Sequence, residues 1–580
     1  MPSGARRVVT ALVSSATVAA IVACAPQPPL NAIRRPATSL PISPPLVREV
    51  VLGVDGLIGG FNPHTLADLA PLSAALAGLL LPSAFHQESD GQWVLDRTLL
   101  TSAEVTNTAP FTVTYRIRRN AQWSDITPIA AEDFGYLAAQ MRSQPGVVDS
   151  AGYQLIDQVI SRDGGKTAEV VFTRPYAGWR TLFRYLLPAH LLKDAPGGWS
   201  KALDAGVPVS GGPFAMTSVD RSRGEIVLER NDRYWDTPTQ IGRIRLRQGS
   251  EAAVIDALRT GGMQSALFGR PNAITELLLR EAQLGVSPTV VPQPVLVSLL
   301  LRPASRVLSD ERTRTAVAAL LDRASLIATG VGSGPSAALR ADSEILAPSA
   351  PDYRPTAPTA GVPVAPDPDL ARRLLTDAGY TRGPTGWERA GQPLRLVVAA
   401  PANREPYGTL AARVVDQLRT AGIDAALREV DADELFGTLL GPIAPGAPRG
   451  GTAELPTSAT TPDVDIAVVP QPAAGHPATQ LESWYGCPLV VPARLAPAPP
   501  NPAQFCDLTL QPMIERALTE EDPAGTVPAA LDAALWQHAV TIPLYQPVSL
   551  FISTSQLPDV VPGTPLEGPL DGAARWQLRP

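Results

Sequence analysis

The first half of the chain contains short runs in which apolar and polar residues alternate. In residues 112–117, the apolar side chains Val113, Tyr115 and Ile117 fall at every second position, which is the period of a β-strand with one buried face. A helix is expected to begin at Ala131, because two acidic residues follow it in the first turn. Residues 225–229 and 243–247 alternate in the same way, and the apolar run at residues 50–54 also predicts a strand.

The second half combines helical and strand periods. Three segments carry apolar residues at i, i+3, i+4 and i+7, the spacing of one buried helix face. These residues are Val317, Leu320, Leu321 and Ala324; Ala371, Leu374, Leu375 and Ala378; and Ala411, Val414, Val415 and Leu418. Strand-like runs are found at residues 394–399, 425–430 and 465–469. Alternating strands and helices predict an α/β fold.

The N-terminal residues have the order of a bacterial lipoprotein signal peptide. Arg6 and Arg7 form a basic region, and the apolar stretch at residues 8–23 is shorter than the ~20 residues of a membrane-spanning helix. The stretch ends in Ile-Val-Ala followed by Cys24, an order that resembles a lipobox. We expect residues 1–23 to be removed and Cys24 to carry the lipid. An uncleaved anchor and a soluble signal peptide with a chance cysteine are the alternatives.

Residues 24–46 are rich in proline and poor in large apolar side chains. Such a segment does not bury enough surface to fold and is expected to be an extended tether. The lipid and the tether together predict a protein held at the outer face of the cytoplasmic membrane.

The composition indicates a folded, acidic protein. Of the 580 residues, 45% are hydrophobic, and the formal net charge is −7 with a pI near 5.5. Nucleic-acid binding calls for clustered positive charge, so this balance argues against it. The length exceeds that of a single core and predicts two or three lobes.

The motifs of common enzymes are absent from the sequence. The five histidines are scattered and form no His-Glu-x-x-His pair, and there is no Gly-x-Ser-x-Gly elbow. The glycine-rich residues 330–334 lack the Lys-Ser/Thr of a P-loop. We therefore expect no enzymatic activity, no cofactor and no metal ion.

Two cysteines remain beside Cys24. In an exported chain the even pair Cys487 and Cys506 predicts a disulfide, with two buried free thiols as the alternative. Neither cysteine has a second cysteine or a histidine at metal-ligand spacing.

Several segments, in order along the chain, resemble signatures of the family 5 extracellular solute-binding proteins, which include peptide- and nickel-binding proteins of ABC importers. The matching residues are 115–125, 127–134, 187–191, 211–214, 228–235, 314–327, 371–380 and 541–545. One departure is Ile126, which stands where the family has glycine after Asp125, so this turn is expected to differ. The segments occur in the family's order and are spread over most of the mature chain, which makes the set specific.

The resemblance implies an α/β, two-lobed periplasmic-binding-protein fold of class II, the large peptide-binding type, with an extra N-terminal-side domain and a hinge between the lobes. Lobe one is expected to comprise residues 47–290, with the extra domain inserted at about 95–205. The chain is expected to return to lobe one at residues 541–580. Lobe two is expected to comprise residues 291–540. The chain is expected to act as a monomer.

The resemblance also bears on the ligand. Oligopeptide binders of the family carry an aspartate after the strand that corresponds to residues 465–469, where it neutralises the amino terminus of the peptide. No aspartate follows here, so a bound ammonium group would lose that partner. The segment offers His476, Glu482, Trp484 and Tyr485 as ligand-binding candidates instead. For the two aromatic residues, core packing is an equal alternative.

Three functions follow from these features. Proline-rich tracts at residues 347–367, 441–462 and 488–502, together with the lipobox-like motif at Cys24, make the chain similar to the branch of actinobacterial lipoproteins that act in glycolipid assembly. That similarity implies binding or regulating access to a phosphatidylinositol mannoside during lipomannan and lipoarabinomannan biosynthesis. The alternatives are a peptide-binding subunit of an ABC importer and a non-binding scaffold that docks a membrane mannosyltransferase.

Overall fold

The computed structural model describes residues 48–56, 59–441, 464–487, 501–520 and 525–579. The predicted signal peptide, the tether and Cys24 lie outside this part of the chain. Within it, no helix combines the length and the apolar character needed to cross a membrane.

A mixed seven-stranded sheet contains the first strand. Its strands, in spatial order, are Thr289–Pro292, Val548–Ser553, Ser265–Phe268, Glu49–Val54, Arg243–Gln248, Glu225–Arg230 and Phe214–Asp220. Glu49–Val54 pairs in parallel with both Arg243–Gln248 and Ser265–Phe268, so three parallel strands form its centre. Val50 and Leu52, on one face of the first strand, are fully buried there.

The chain segment between the strands Glu49–Val54 and Phe214–Asp220 contains a four-stranded antiparallel sheet. It consists of Leu100–Thr108, Phe111–Ile117, Thr167–Phe172 and Ile156–Arg162. Trp123, from the family-like signature, is fully buried and donates its indole N–H to Asp133 Oδ2 at 3.3 Å. This contact gives the tryptophan a packing role.

A five-stranded sheet forms the other half of the molecule. Its strands, in spatial order, are Asp424–Val430, Arg395–Pro401, Ile466–Pro472, Val295–Leu301 and Thr541–Tyr545. Two shorter sheets are built from Phe85–Gln87 with Trp93–Leu95 and from Thr381–Gly383, Gly386–Arg389 and Gln392–Pro393. The mixed sheets with helices packed on them confirm the α/β class.

Fifteen α-helices occur in the described residues. They are Pro71–Leu80, Ala131–Ser143, Ala151–Gln154, Ala189–Leu192, Gly198–Lys201, Glu251–Arg259, Ala273–Ala282, Glu311–Ala319, Arg323–Val331, Pro368–Asp377, Tyr407–Thr420, Ala432–Glu434, Pro477–Tyr485, Gln511–Thr519 and Thr526–His538. Gly379 and Gly422 follow two of these helices at φ of 86° and 85°, the left-handed conformation in which glycine commonly ends a helix.

One predicted helix is in fact two. The apolar pattern from Val317 to Ala324 predicts a continuous helix, but the first helix ends at Ala319 and the second starts at Arg323. The cause is Asp322, whose side chain accepts a hydrogen bond from the backbone N–H of Ser325 at 3.0 Å. An aspartate in this position caps a new helix rather than extending the old one.

The chain passes between the two large sheets twice. The first passage is at residues 293–294 and the second at residues 546–547. The strand Thr541–Tyr545 still belongs to the five-stranded sheet, so the return predicted at residue 541 occurs after this strand and not before it. The division into two lobes and an inserted domain stays a prediction, and we use "lobe one" and "lobe two" below for the parts built on the seven-stranded and five-stranded sheets.

The turn after Trp123 keeps a backbone conformation that suits glycine. Ile126 has a φ of 72° and is 63% exposed, and its N–H donates to Trp123 O at 2.9 Å. A β-branched residue in the left-handed region is strained, because its Cβ approaches the neighbouring carbonyl oxygen.

Replacing Ile126 with glycine is therefore expected to raise the free energy of unfolding by about 1 kcal/mol, after allowance for the greater chain entropy of glycine. Urea unfolding measures the change. Ile126→Ala, which keeps the Cβ, is the matched control and should gain less. Destabilisation by Ile126→Gly would contradict the assignment of strain.

Candidate functional site

A cavity of about 620 Å³ lies between lobe one and lobe two. It opens at the carboxyl ends of the central parallel strands and at the two passages between the sheets, where open α/β sheets commonly bind ligands. Its polar lining residues are Asp55, Asp68, Lys201, Asp204, Arg221, Gln248, Arg270, Gln293, Asn403, Arg404, Glu405, Tyr407, Asp431 and Asp433. We call this cavity the cleft.

Asp55 and Arg270 shape the side of the cleft that belongs to lobe one. Asp55 directly follows the strand Glu49–Val54, and its carboxylate accepts hydrogen bonds from the N–H groups of Gly269 at 2.9 Å and Arg270 at 3.3 Å. The side chain of Arg270 is exposed and makes no hydrogen bond or ion pair with the described residues. A cation held at its backbone but not paired at its guanidinium suits an anionic group of a ligand.

Acidic side chains gather at the opposite rim. Asp68 accepts a hydrogen bond from the N–H of Asn62 at 3.0 Å. Burial, with the nearby charges of Asp433 and Asp204, raises the pKa of the Asp68 carboxyl to about 6. Lys201 of lobe one forms an ion pair with Asp433 of lobe two across this rim.

Arg404 joins the two lobes in the cleft itself. It follows the strand Arg395–Pro401 of lobe two, and its guanidinium donates to the carbonyl oxygens of Leu66 at 3.2 Å and Ala67 at 2.9 Å, and also to that of Leu69. These carbonyls precede the first helix of lobe one. The contacts describe a closed arrangement of the two lobes.

The two passages between the sheets are bonded to each other. The side chain of Gln546 donates to Gln293 O at 2.8 Å, and the N–H of Gln293 donates to Pro547 O at 2.9 Å. Gln546 is fully buried, and its Oε1 also accepts from the N–H of Ser349 at 2.9 Å. Paired, short connections of this kind are the hinge geometry of two-lobed proteins.

The four candidates chosen from the sequence lie away from the cleft. Trp484 and Tyr485 are 2% and 1% exposed and belong to a hydrophobic cluster of lobe two, with Phe505 at 6.3 Å from Tyr485 between ring centroids. This favours core packing over ligand contact. Burial lowers the pKa of His476 to about 4, and raises the pKa of Glu482, which accepts from Gln511 Nε2, to about 7.

The predicted disulfide is present. Cys487 lies two residues after the end of the helix Pro477–Tyr485 and is bonded to Cys506, at a sequence separation of 19. The N–H of Cys487 donates to Gln511 Oε1 at 2.7 Å, so the crosslink is also held to the helix Gln511–Thr519.

A buried acidic group lies behind Tyr485. Glu344 is fully buried, and the side chains around it are Tyr485 and the carboxylate of Asp532. Burial and the Asp532 charge raise the pKa of Glu344 well above its usual range. Asp532 accepts hydrogen bonds from Ser343 Oγ at 2.5 Å and Thr356 Oγ1 at 2.7 Å.

The pKa of Glu344 gives a pH-dependent contribution to stability. Because the folded state holds this proton more tightly than the unfolded state does, unfolding becomes easier as pH rises from about 4.5 towards the folded pKa, by ~1.4 kcal/mol per pH unit. Glu344→Gln has no proton to lose, so its stability relative to the wild type should rise between pH 5 and pH 7 in urea titrations. Glu276→Gln, at an exposed position, is the matched control, and an unchanged pH profile for Glu344→Gln would contradict this assignment.

The cleft residues were missed because the candidates came from one segment. The usable signal was their position, because Asp55, Arg404 and Asp431 each follow directly or closely after the carboxyl end of a strand that the sequence predicts. Arg270 follows the short strand Ser265–Phe268, which carries no such pattern.

Comparisons with known proteins agree with the fold. Residues 97–488 match the family described as "Bacterial extracellular solute-binding proteins, family 5 Middle". The solved structure of the oligopeptide-binding protein AppA from Bacillus subtilis in complex with a nonapeptide has a TM-score of 0.70 at 14% identity, covering 92% of this chain and 100% of that one. The periplasmic EDTA-binding protein EppA has a TM-score of 0.68 at 21% identity, covering 92% and 96%.

Curated relatives extend the match over the whole length. A protein of Mycobacterium tuberculosis named "Probable monoacyl phosphatidylinositol tetramannoside-binding protein LpqW" is 34% identical, over 99% of both chains. The oligopeptide-binding protein OppA of the same species is 28% identical over 62% of this chain and 64% of its own. The chain belongs to the family 5 bacterial extracellular solute-binding proteins.

Proposed function

We propose that this chain is a lipid-anchored substrate-binding protein of the cell envelope whose cleft binds the headgroup of a phosphatidylinositol mannoside. In this role it binds or regulates access to an intermediate of lipomannan and lipoarabinomannan biosynthesis. Support comes from the full-length similarity to a relative named for binding a monoacyl phosphatidylinositol tetramannoside.

The observation that carries the proposal is that both acidic and basic side chains line the cleft. Six carboxyl groups and four cationic side chains among the described residues line it. Sugar hydroxyls donate to carboxylates and accept from cations, so a glycan satisfies a lining of both charges. The unpaired guanidinium of Arg270 supplies the partner for the phosphate of such a lipid.

The anchor belongs to the same proposal. A lipid on Cys24 and an extended tether would hold the cleft near the membrane in which a glycolipid ligand resides. A membrane mannosyltransferase that uses the same glycolipid is the proposed partner.

The test is isothermal titration of the signal-less protein with monoacyl phosphatidylinositol tetramannoside in nanodiscs. The wild type should bind saturably, and Arg270→Met should weaken binding about tenfold or more, the loss of one charge-assisted contact. Arg373→Met, which removes an exposed arginine remote from the cleft, is the control and should bind normally. Equal affinities for Arg270→Met and the wild type would contradict the proposed phosphate contact.

The second candidate is a peptide-binding subunit of an ABC importer. The similarity to OppA favours it, and the missing aspartate after residue 469 is not decisive, because carboxyl groups from other segments line the cleft. Saturable binding of peptides with no response to the tetramannoside would establish this function instead.

The third candidate is a scaffold that docks a mannosyltransferase without binding a ligand. The observation that favours it is the pair Ile274 and Leu277, which are 65% and 50% exposed on one face of the helix Ala273–Ala282. Absence of any bound molecule, together with binding of the enzyme, would support this function.

A further inference from the structure

A recess of about 320 Å³ adjoins the cleft, and Ala67 and Asp433 belong to the walls of both. Its other walls come from residues 144–146 and Trp199 of lobe one and from the helical turn Leu435–Leu439 of lobe two. Its volume lies at the lower end of ligand pockets, which span ~300–1,000 Å³, and suits one small part of a larger ligand.

The walls of the recess combine aromatic rings with polar groups. Trp199 and Phe436 supply the rings. Gln144 and Glu434 supply side-chain amide and carboxylate groups, and Asp433 lies at the junction with the cleft. The indole N–H of Trp199 is buried and has no hydrogen-bond partner among the described residues. The wall of the recess therefore presents aromatic faces beside amide and carboxylate groups.

This chemistry discriminates between kinds of occupant. An acyl chain would take the amide and carboxylate groups out of water without replacing their hydrogen bonds, which costs free energy for each group. An anionic group would be repelled by Asp433 and Glu434. A neutral ring that carries several hydroxyls pairs with the polar groups and lays its apolar face on an aromatic ring.

We propose that this recess is a second subsite, which holds a neutral sugar ring of the ligand whose anionic part lies in the cleft; the inference rests on the proposed function. The ion pair of Lys201 and Asp433 lies at the junction of the two spaces. Lys201 is 47% exposed, so its ion pair with Asp433 contributes little to stability. Asp433 can therefore exchange Lys201 for a sugar hydroxyl at a small cost in free energy.

Gly437 allows the subsite to be blocked selectively. It lines the recess but not the cleft, and a methyl group at this position would have no heavy-atom neighbour within 4 Å. Gly437→Leu therefore fills the recess without a backbone clash, and Gly437→Ala, which adds only one carbon, is the matched control. The probes are the tetramannoside and the dimannoside of monoacyl phosphatidylinositol, titrated calorimetrically in nanodiscs.

Gly437→Leu is expected to weaken tetramannoside binding about tenfold and to leave dimannoside binding unchanged. Trp199→Phe, which replaces the indole with a smaller ring and so reduces the aromatic face of the wall, should weaken tetramannoside binding about threefold and serves as the test if Gly437→Leu does not fold. An equal loss for both probes, or no loss for either, would overturn the subsite. If the wild type binds neither probe, the proposed function itself fails. That result is distinguishable from failure of the subsite alone, in which the wild type still binds the probes.

Discussion

Replacing Arg323 with methionine is expected to lower the free energy of unfolding by about 3 kcal/mol. The side chain of Arg323 is completely buried, and it donates to Pro543 O at 2.8 Å, to Asp342 Oδ1 at 2.9 Å and to the carbonyl oxygen of Ala341. Methionine retains the apolar volume but leaves two buried carbonyl groups without these donors. The guanidinium also lies 5.7 Å from the ring of Trp536, a further contact that would be lost.

Arg340→Met is the matched control for Arg323. Arg340 pairs with the same carboxylate, Asp342, at 3.0 Å but is 41% exposed, so its loss should cost less than about 1 kcal/mol. Urea unfolding followed by circular dichroism compares the two variants. A similar small loss for both would show that the buried arginine does not stabilise lobe two as described.

The second large effect is expected at Arg404. Replacing it with methionine removes three hydrogen bonds from a cation to backbone carbonyls, about 3 kcal/mol of the stabilisation of the closed arrangement. That corresponds to a roughly 100-fold shift towards the open arrangement. Small-angle X-ray scattering should report a larger radius of gyration for Arg404→Met than for the wild type.

Lys201→Met separates the effect of Arg404 from a general loss of charge at the rim. It also removes a contact between the lobes, but an exposed one, so the scattering curve should change little. Identical scattering curves for Arg404→Met and the wild type would contradict the role of Arg404 in closure. Arg404→Met should also weaken ligand binding, since a ligand enclosed by both lobes binds only the closed arrangement.

Local patterns predicted several elements of the fold. The alternation in residues 112–117 and the helical spacing from Ala371 to Ala378 each correspond to an observed strand or helix, because burial of one face determines the pattern. The pattern did not predict the break at Asp322, because the apolar spacing continues across this residue although its side chain caps a new helix. The passage after Thr541–Tyr545 depends on which strands pair, and a local pattern does not specify partners.

The candidate site was less accessible from the sequence. Trp484 and Tyr485 have the residue types of a sugar-binding site, but the same types fill hydrophobic cores, and their neighbours in space decide the outcome. The cleft is assembled from loops far apart in sequence, such as those of Asp55, Arg270 and Arg404. The resemblance to a family predicted the fold class but did not identify these side chains.

The central claim is that the cleft holds a mannosylated phosphatidylinositol, and native mass spectrometry tests it most directly. The signal-less protein is purified from its own host under conditions that retain bound molecules. The account predicts a co-purifying mass of a phosphatidylinositol mannoside, which Arg270→Met loses and Arg373→Met retains. A ladder of peptide masses in the wild type would contradict the account.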